Sequence, residues 1–283
     1  MFPDSLTITI APAINRAVDA LIADNAGGFR LFADAVLAVI VFVEQALRAA
    51  PWWLVILLAG VAAFAASRRI GFGVGTALAL LLVGVFGLWD PAMQTLALML
   101  VATTLSAIIG VPLGVALTRS TRASTILRPV LDAMQTLPSF VYLVPAMMVF
   151  GLGKVPALLA TVIYATPPIV RLTELGIRNV SAEAVEAAIA FGATARQKFW
   201  HVEFPLALPS IMAGINQATM LALSMVVVAS MIGARGLGEE VLVGIQRLDV
   251  GRGLVAGIVI VLLAIVLDRI TQAFGAPHTK PTP

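Results

Sequence analysis

The sequence predicts an all-α protein, a polytopic transmembrane helical bundle of about seven spans, and two observations carry that expectation. Of 283 residues, 60% are hydrophobic and 12% charged, and the mean hydropathy is +1.02, far outside the range of soluble globular domains. The apolar residues also fall in runs close to the about twenty that a helix needs to cross hydrocarbon, where it must satisfy its own backbone hydrogen bonds.

Taken in order, the runs predict spans at 52–67, 71–89, 93–117, 138–153, 155–175, 206–232 and 252–272. They divide the chain into an N-terminal external or interfacial segment (1–50), accessory helices (51–90), a core (91–275) and a short tail (276–283). In 30–48, the residues Arg30, Asp34, Glu44, Gln45 and Arg48 fall within about a third of the helical circumference. That pattern reads as an amphipathic helix lying in the interface, with a short eighth span as the alternative because its middle is apolar. Trp52, Trp53 and Trp89 stand where interfacial aromatics belong.

Basic residues in short loops favour the cytoplasm. Arg68, Arg69, Arg119, Arg122, Arg128, Arg178, Arg196 and Lys198 share one side of the predicted spans. The expectation is an N-terminus outside, with the loop 178–205 and the C-terminus in the cytoplasm of a cell (inner) membrane. The formal charge is only +3, and no basic patch interleaved with aromatics occurs, so nucleic acid is not an expected partner while membrane lipid is. The chain has no cysteine, which excludes disulfides and thiolate chemistry. The N-terminus lacks the pattern of a cleaved signal peptide.

The loop is too polar to be a span and reads as two short helices. Ser181 caps the first, with Glu183 and Glu186 complementing its dipole. Gly192 stops it, Thr194 and Gln197 form a capping box that opens the second, and Pro205 ends the second at the membrane. Arg196, Lys198, Phe199 and Trp200 give it a mixed charged and aromatic face suited to docking a protein.

The order "EAAIAFGATARQKFWHVEFP" resembles the EAA motif of ABC-importer permeases, with Glu186, Ala187, Ala188, Gly192, Val202, Phe204 and Pro205 in the motif's places. Val202 and Phe204 depart from the usual Ile and Leu and stay apolar. Over about 90–275 the chain is similar to the permeases of glycine betaine, proline betaine and choline importers, the ProW-like group; before residue 90 only the layout matches. The resemblance implies a type I ABC importer permease fold and a permease that works as a homodimer with two ATPase subunits and an external substrate-binding protein. It also implies that the loop is the coupling element, with Glu186, Ala187, Ala188, Gly192, Arg196, Lys198, Trp200 and Pro205 at the ATPase contact.

No Walker A sequence is present, so ATP and Mg²⁺ are expected on the ATPase and no cofactor or metal on this chain. His201 and His278 are isolated and no catalytic triad is legible, so an enzyme is not expected. An ATP-independent transporter would carry buried charge relays and inverted repeats; only Asp132, Arg171 and Glu174 stand near span ends. For the solute path, Pro138, Pro145, Pro156, Pro167 and Pro168 are expected to break two consecutive spans, since broken helices line cavities or pack on protein. Near them Phe140, Tyr142 and Tyr164 offer aromatic faces to a quaternary ammonium or simply pack. Asn216, Gln217, Thr219 and Ser224 line the path or bond across helices.

Overall fold

A computed structural model describes the backbone of residues 10–275 and the side chains of residues 10–272. Twelve α-helices are present among the described residues: α1 (Ala11–Ala49), α2 (Trp52–Ser67), α3 (Ile70–Val85), α4 (Trp89–Thr118), α5 (Thr121–Thr136), α6 (Leu143–Phe150), α7 (Lys154–Arg178), α8 (Ala182–Ala190), α9 (Ala195–Lys198), α10 (Phe204–Ala229), α11 (Leu237–Gln246) and α12 (Val250–Gly275). The predicted tail 276–283, with His278 and Lys280, lies outside the described residues.

The centre is the wedge of α4, α7 and α10. These helices approach closely because small residues stand where backbones meet. Gly110 and Gly114 form a small-xxx-small pair on α4. A Cβ on Gly114 would lie 2.6 Å from Thr173 Cβ and 2.7 Å from the Val170 carbonyl, so no larger residue fits without separating α4 from α7. The α7 helix is the most enclosed span, with Ala165, Thr166, Pro167, Pro168, Ile169 and Val170 all buried. Pro167 and Pro168 sit inside an unbroken 25-residue helix, so the expected break in this span does not occur. A proline removes one ladder donor, and tight packing on α4 and α10 holds the helix through that loss.

The break falls in the preceding span instead. Residues 138–153 form a 3-10 turn (Ser139–Tyr142) and the eight-residue α6, bent by 106° from α5. Pro138 holds Leu137 extended (ψ 134°) and so stops α5. The α5 helix is strongly amphipathic, capped by Ser120 Oγ on the amide of Ala123 at 3.2 Å, and lies at the same end as residues 179–203.

Five helices are long and apolar enough to cross a membrane: α1, α4, α7, the continuous helix Ala195–Ile232, and α12; the bent pair α5 with α6 makes up to six. The α2 and α3 helices are 16 residues each, about 24 Å and shorter than the about 30 Å hydrocarbon layer. They pack as a hairpin in which a Cβ on Gly73 would meet the Gly60 carbonyl at 2.8 Å. Trp89 opens α4 rather than closing α3.

Residues 30–48 are not a separate amphipathic helix. They belong to the 39-residue α1, kinked at Asn25 (φ −122°, ψ 16°). Ile40 and Glu44 are buried, and Val36, Ile40 and Val43 pack against the central cluster. Glu44 pairs within the expected polar stripe, with Arg48 at 3.5 Å, and also far along the chain, with Lys154 at the start of α7. Arg48 extends the contact to Asp90 at the start of α4, Nε to Oδ1 3.0 Å.

Candidate functional site

Residues 179–203 project from the bundle end at which α4 and α7 finish. Ser181 Oγ accepts from the Ala184 amide at 3.3 Å and starts α8. Gly192, with φ +77°, turns left-handed as the helix ends. The amide of Ala193 donates to the Ala188 carbonyl at 3.0 Å and that of Gly192 to the Ile189 carbonyl at 2.9 Å, the paired bonds of a Schellman motif. The Thr194–Gln197 capping box forms as the spacing predicts, with the Gln197 amide on Thr194 Oγ1 at 3.3 Å and the Thr194 amide on Gln197 Oε1 at 2.9 Å.

Pro205 does not end the second helix. The chain runs from α9 through a π-turn (Phe199–Glu203) directly into α10, where Pro205 occupies the first turn. The amide of Phe204 reaches five residues back to the Phe199 carbonyl. The wider turn accommodates the residue that cannot donate.

The side chains named from the motif are uncovered. Glu186, Ala187, Gly192, Arg196, Trp200 and Pro205 are exposed, while Ala188 and Lys198 are half-buried. No residue of α8 is buried. Two exposed apolar side chains accompany them and were not read from the sequence, Phe191 at 92% and Ile189 at 57% exposure. An aromatic residue one place before the stop glycine was the available signal. Phe199, Trp200 and Phe204 stack with centroids 5.1–5.9 Å apart, and the Arg119 guanidinium lies 5.7 Å from the Phe199 ring centroid. Lys198 pairs with Glu203 at 2.9 Å.

Beneath this segment a buried carboxylate joins three helices. Glu174 on α7 is 3% exposed. Its Oε1 accepts from Ser124 Oγ at 2.7 Å and Arg128 Nη2 at 3.1 Å, both on α5, and is ion-paired with Arg178, whose Nε lies 2.9 Å away. Arg178 also donates to the Leu117 carbonyl on α4 at 3.1 Å. The last turn of α7, from which α8 departs, is thereby fixed to α4 and α5. The sequence shows Glu174 four residues before Arg178, a pair expected on one helix face; Ser124 and Arg128 give no local signal.

Of the residues expected along a solute path, Asn216 and Gln217 share one pocket wall with Met212, Met220 and Gln272, and Phe140, Tyr142 and Tyr164 are not part of it. Tyr142 and Tyr164 meet, centroids 6.3 Å apart, and both pack against the central apolar cluster. The Tyr142 hydroxyl donates to the Met134 carbonyl at 2.5 Å. Phe140 is 60% exposed on the 3-10 turn. On α10, Asn216 bonds across to α12, donating to Asp268 Oδ1 at 2.8 Å and accepting from Thr271. Thr219 is buried and donates to the Ile215 carbonyl at 2.8 Å. Gln217 and Ser224 face outward on the same helix, Ser224 donating to the Met220 carbonyl at 3.2 Å. Thus Asn216 and Thr219 have hydrogen-bond partners within this chain, while Gln217, Ser224 and Phe140 are left uncovered by it.

The chain matches the family described as "Binding-protein-dependent transport system inner membrane component" over residues 108–276. It is 57% identical over 206 residues to the glycine betaine/proline betaine transport system permease protein ProW of Escherichia coli strain K12, a match covering 73% of this chain and 58% of that protein. It is 46% identical over 276 residues to the glycine betaine/carnitine transport permease protein GbuB of Listeria monocytogenes serotype 1/2a strain 10403S, covering 96% of this chain and 98% of the relative. Among solved structures it is similar to a chain of the inward-facing MetNI methionine ABC transporter, with TM-score 0.53, 25% identity and coverage of 62% of this chain and 88% of that chain.

Proposed function

The chain belongs to the binding-protein-dependent transport system inner membrane components, and from that premise we propose that it is the permease subunit of an ATP-driven importer of quaternary amines such as glycine betaine, proline betaine or choline. The observation that carries this reading is near-end-to-end similarity to a permease named for glycine betaine and carnitine, 46% identical over 96% of this chain. In this reading two copies of the chain enclose the path, two ATPase subunits hold ATP and Mg²⁺, and an external binding protein selects the solute.

The geometry of residues 179–203 supports the coupling role. A segment that receives force must be stiff and must present a surface. Here both short helices are capped, and Glu186, Ala187, Ile189 and Phe191 face outward. The Glu174 network carries displacement into α4, α5 and α7, and the unbroken continuation of α9 carries it into α10. The basic residues gathered at this end, among them Arg68, Arg119, Arg122 and Arg128, support its placement in the cytoplasm. The outward stripe of α10 bearing Gln217 and Ser224 is the face assigned to the second copy and the path.

Reconstitution of the chain with its ATPase and binding protein in liposomes tests the reading. ATP hydrolysis and uptake rise together when glycine betaine, proline betaine or choline is supplied; no stimulation by any quaternary amine refutes the solute class, and failure to bind an ATPase refutes the assignment as a whole. Gly192→Val forces a β-branched residue into φ +77° and is expected to lower uptake per ATP hydrolysed while the protein still inserts and purifies normally. Unchanged uptake per ATP in this variant refutes the coupling role of the corner.

A further inference from the structure

We propose that the cleft between the π-turn and the ends of α4 and α7 binds a phosphate-bearing anion, either the headgroup of an acidic phospholipid in the adjoining leaflet or free phosphate. The cleft has a volume of 620 Å³, within the about 300–1,000 Å³ typical of small-molecule sites. Four cationic side chains line it, Arg119, Arg178, Arg196 and Lys198, against one carboxylate in the wall, Glu203.

Two of these cations are already neutralised, Arg178 by Glu174 and Lys198 by Glu203. Arg119 and Arg196 have no carboxylate partner among the described residues. Arg119 is held by its approach to the Phe199 ring, a contact that orients a guanidinium while leaving its N–H groups free to donate. The uncompensated charge is therefore about two guanidiniums facing one cleft, the geometry that takes a phosphate by paired hydrogen bonds.

Depth favours a lipid source. The spans α4 and α7 end at Thr118 and Arg178, both in the cleft wall. The Phe199, Trp200 and Phe204 cluster stands at that level, where interfacial aromatics sit. Basic pockets between helices at this level bind lipid headgroups. The groove between α2 and α3 is a contrast at 570 Å³: Trp52, Trp53, Leu57 and Phe64 line it without a charged group, so it offers a headgroup nothing to bind. The cleft lies on the bundle side of α9, and α8 takes no part in its wall; because Arg196, Lys198 and Trp200 also belong to the expected ATPase contact, the test uses the permease without an ATPase.

The test uses the full chain in nanodiscs of phosphatidylcholine containing a minority of phosphatidylglycerol, with co-purifying lipid counted by native mass spectrometry. Wild type retains phosphatidylglycerol; Arg196→Gln, which breaks no bond among the described residues, binds it roughly 5-fold more weakly, and Arg119→Ala/Arg196→Ala roughly 30-fold more weakly. Arg68→Asn/Arg69→Ala removes two charges from the same end of the bundle and leaves retention unchanged. In nanodiscs of phosphatidylcholine alone, ³¹P line broadening of inorganic phosphate that the double variant abolishes assigns the cleft to the free anion. Lipid retention equal in wild type and double variant without such broadening, or an equal loss in the Arg68/Arg69 control, overturns the proposal.

Discussion

Helices α7 and α1 both have the length and apolarity of a span, yet 72% of the apolar window of α7 is buried and only 6% of that of α1. The α7 helix is held by interdigitation with α4 and α10, where glycines let backbones touch. The α1 helix has two buried residues, Ile40 and Glu44, and is fastened by charge: Glu44 to Lys154, Arg48 to Asp90. The difference teaches that hydropathy alone does not separate a load-carrying core helix from one attached at a few points. In lipid, apolar surface gains little from being covered by more apolar surface, so close approach and directed polar contacts decide which helix is central.

Four substitutions sharpen or break that contrast. Gly114→Leu has the largest expected effect, about 3 kcal/mol, because its side chain must displace Thr173 and the α7 backbone; loss of the monodisperse peak in fluorescence-detected size exclusion checks it. Glu174→Ala follows at about 2 kcal/mol, toward the low side for a broken buried pair because Arg128 stays open to water. Its check is a lowered midpoint in a thermal scan, with Glu174→Gln intermediate because an amide oxygen still accepts from Ser124. Glu44→Ala is expected to cost about 1 kcal/mol and to act on α1 alone, read as faster hydrogen exchange in residues 36–49 with α7 unchanged. If exchange in α7 rose equally, α1 would be part of the core and the contrast would fail. Asp90→Asn is the smallest, below about 0.5 kcal/mol, since the carboxylate is 65% exposed; an unshifted melting midpoint is expected.

Most of the architecture was legible because it is written in local periodicity. The boundaries of α2, α4, α7, α10 and α12 follow their apolar runs closely, and the caps at Ser181, Gly192 and Thr194 follow from residue types that satisfy helix ends. What was not legible depends on partners distant in sequence. Glu44 looked like one member of a solvated stripe because Lys154 lies 110 residues away. Asn216 was open to lining the path or bonding across helices, and its partners Asp268 and Thr271 lie 52 and 55 residues away, with nothing local to announce them. Pro167 and Pro168 suggested a break that packing between α4 and α10 suppresses, whereas Pro138 made one by holding Leu137 extended. Helix α11, ten residues between two spans, falls outside the apolar runs from which the spans are read. In residues 179–203 the caps and the Gly192 corner were legible, while the exposure of Phe191 and Ile189 and the continuity across Pro205 were not.

That continuity has a mechanical meaning. From Ala195 to Ile232 the chain is one 38-residue helical rod, about 57 Å long at 1.5 Å per residue. At its far tip the Ile232 carbonyl accepts from the Gly153 amide at 2.9 Å, beside the first residue of α7. For a rod of that length, a tilt of about 10° about one tip sweeps the other through about 10 Å. The widened turn at Phe199–Glu203 thus leaves one lever with its two tips at opposite ends of the helical bundle, where a proline break would have left two short sticks joined by a hinge.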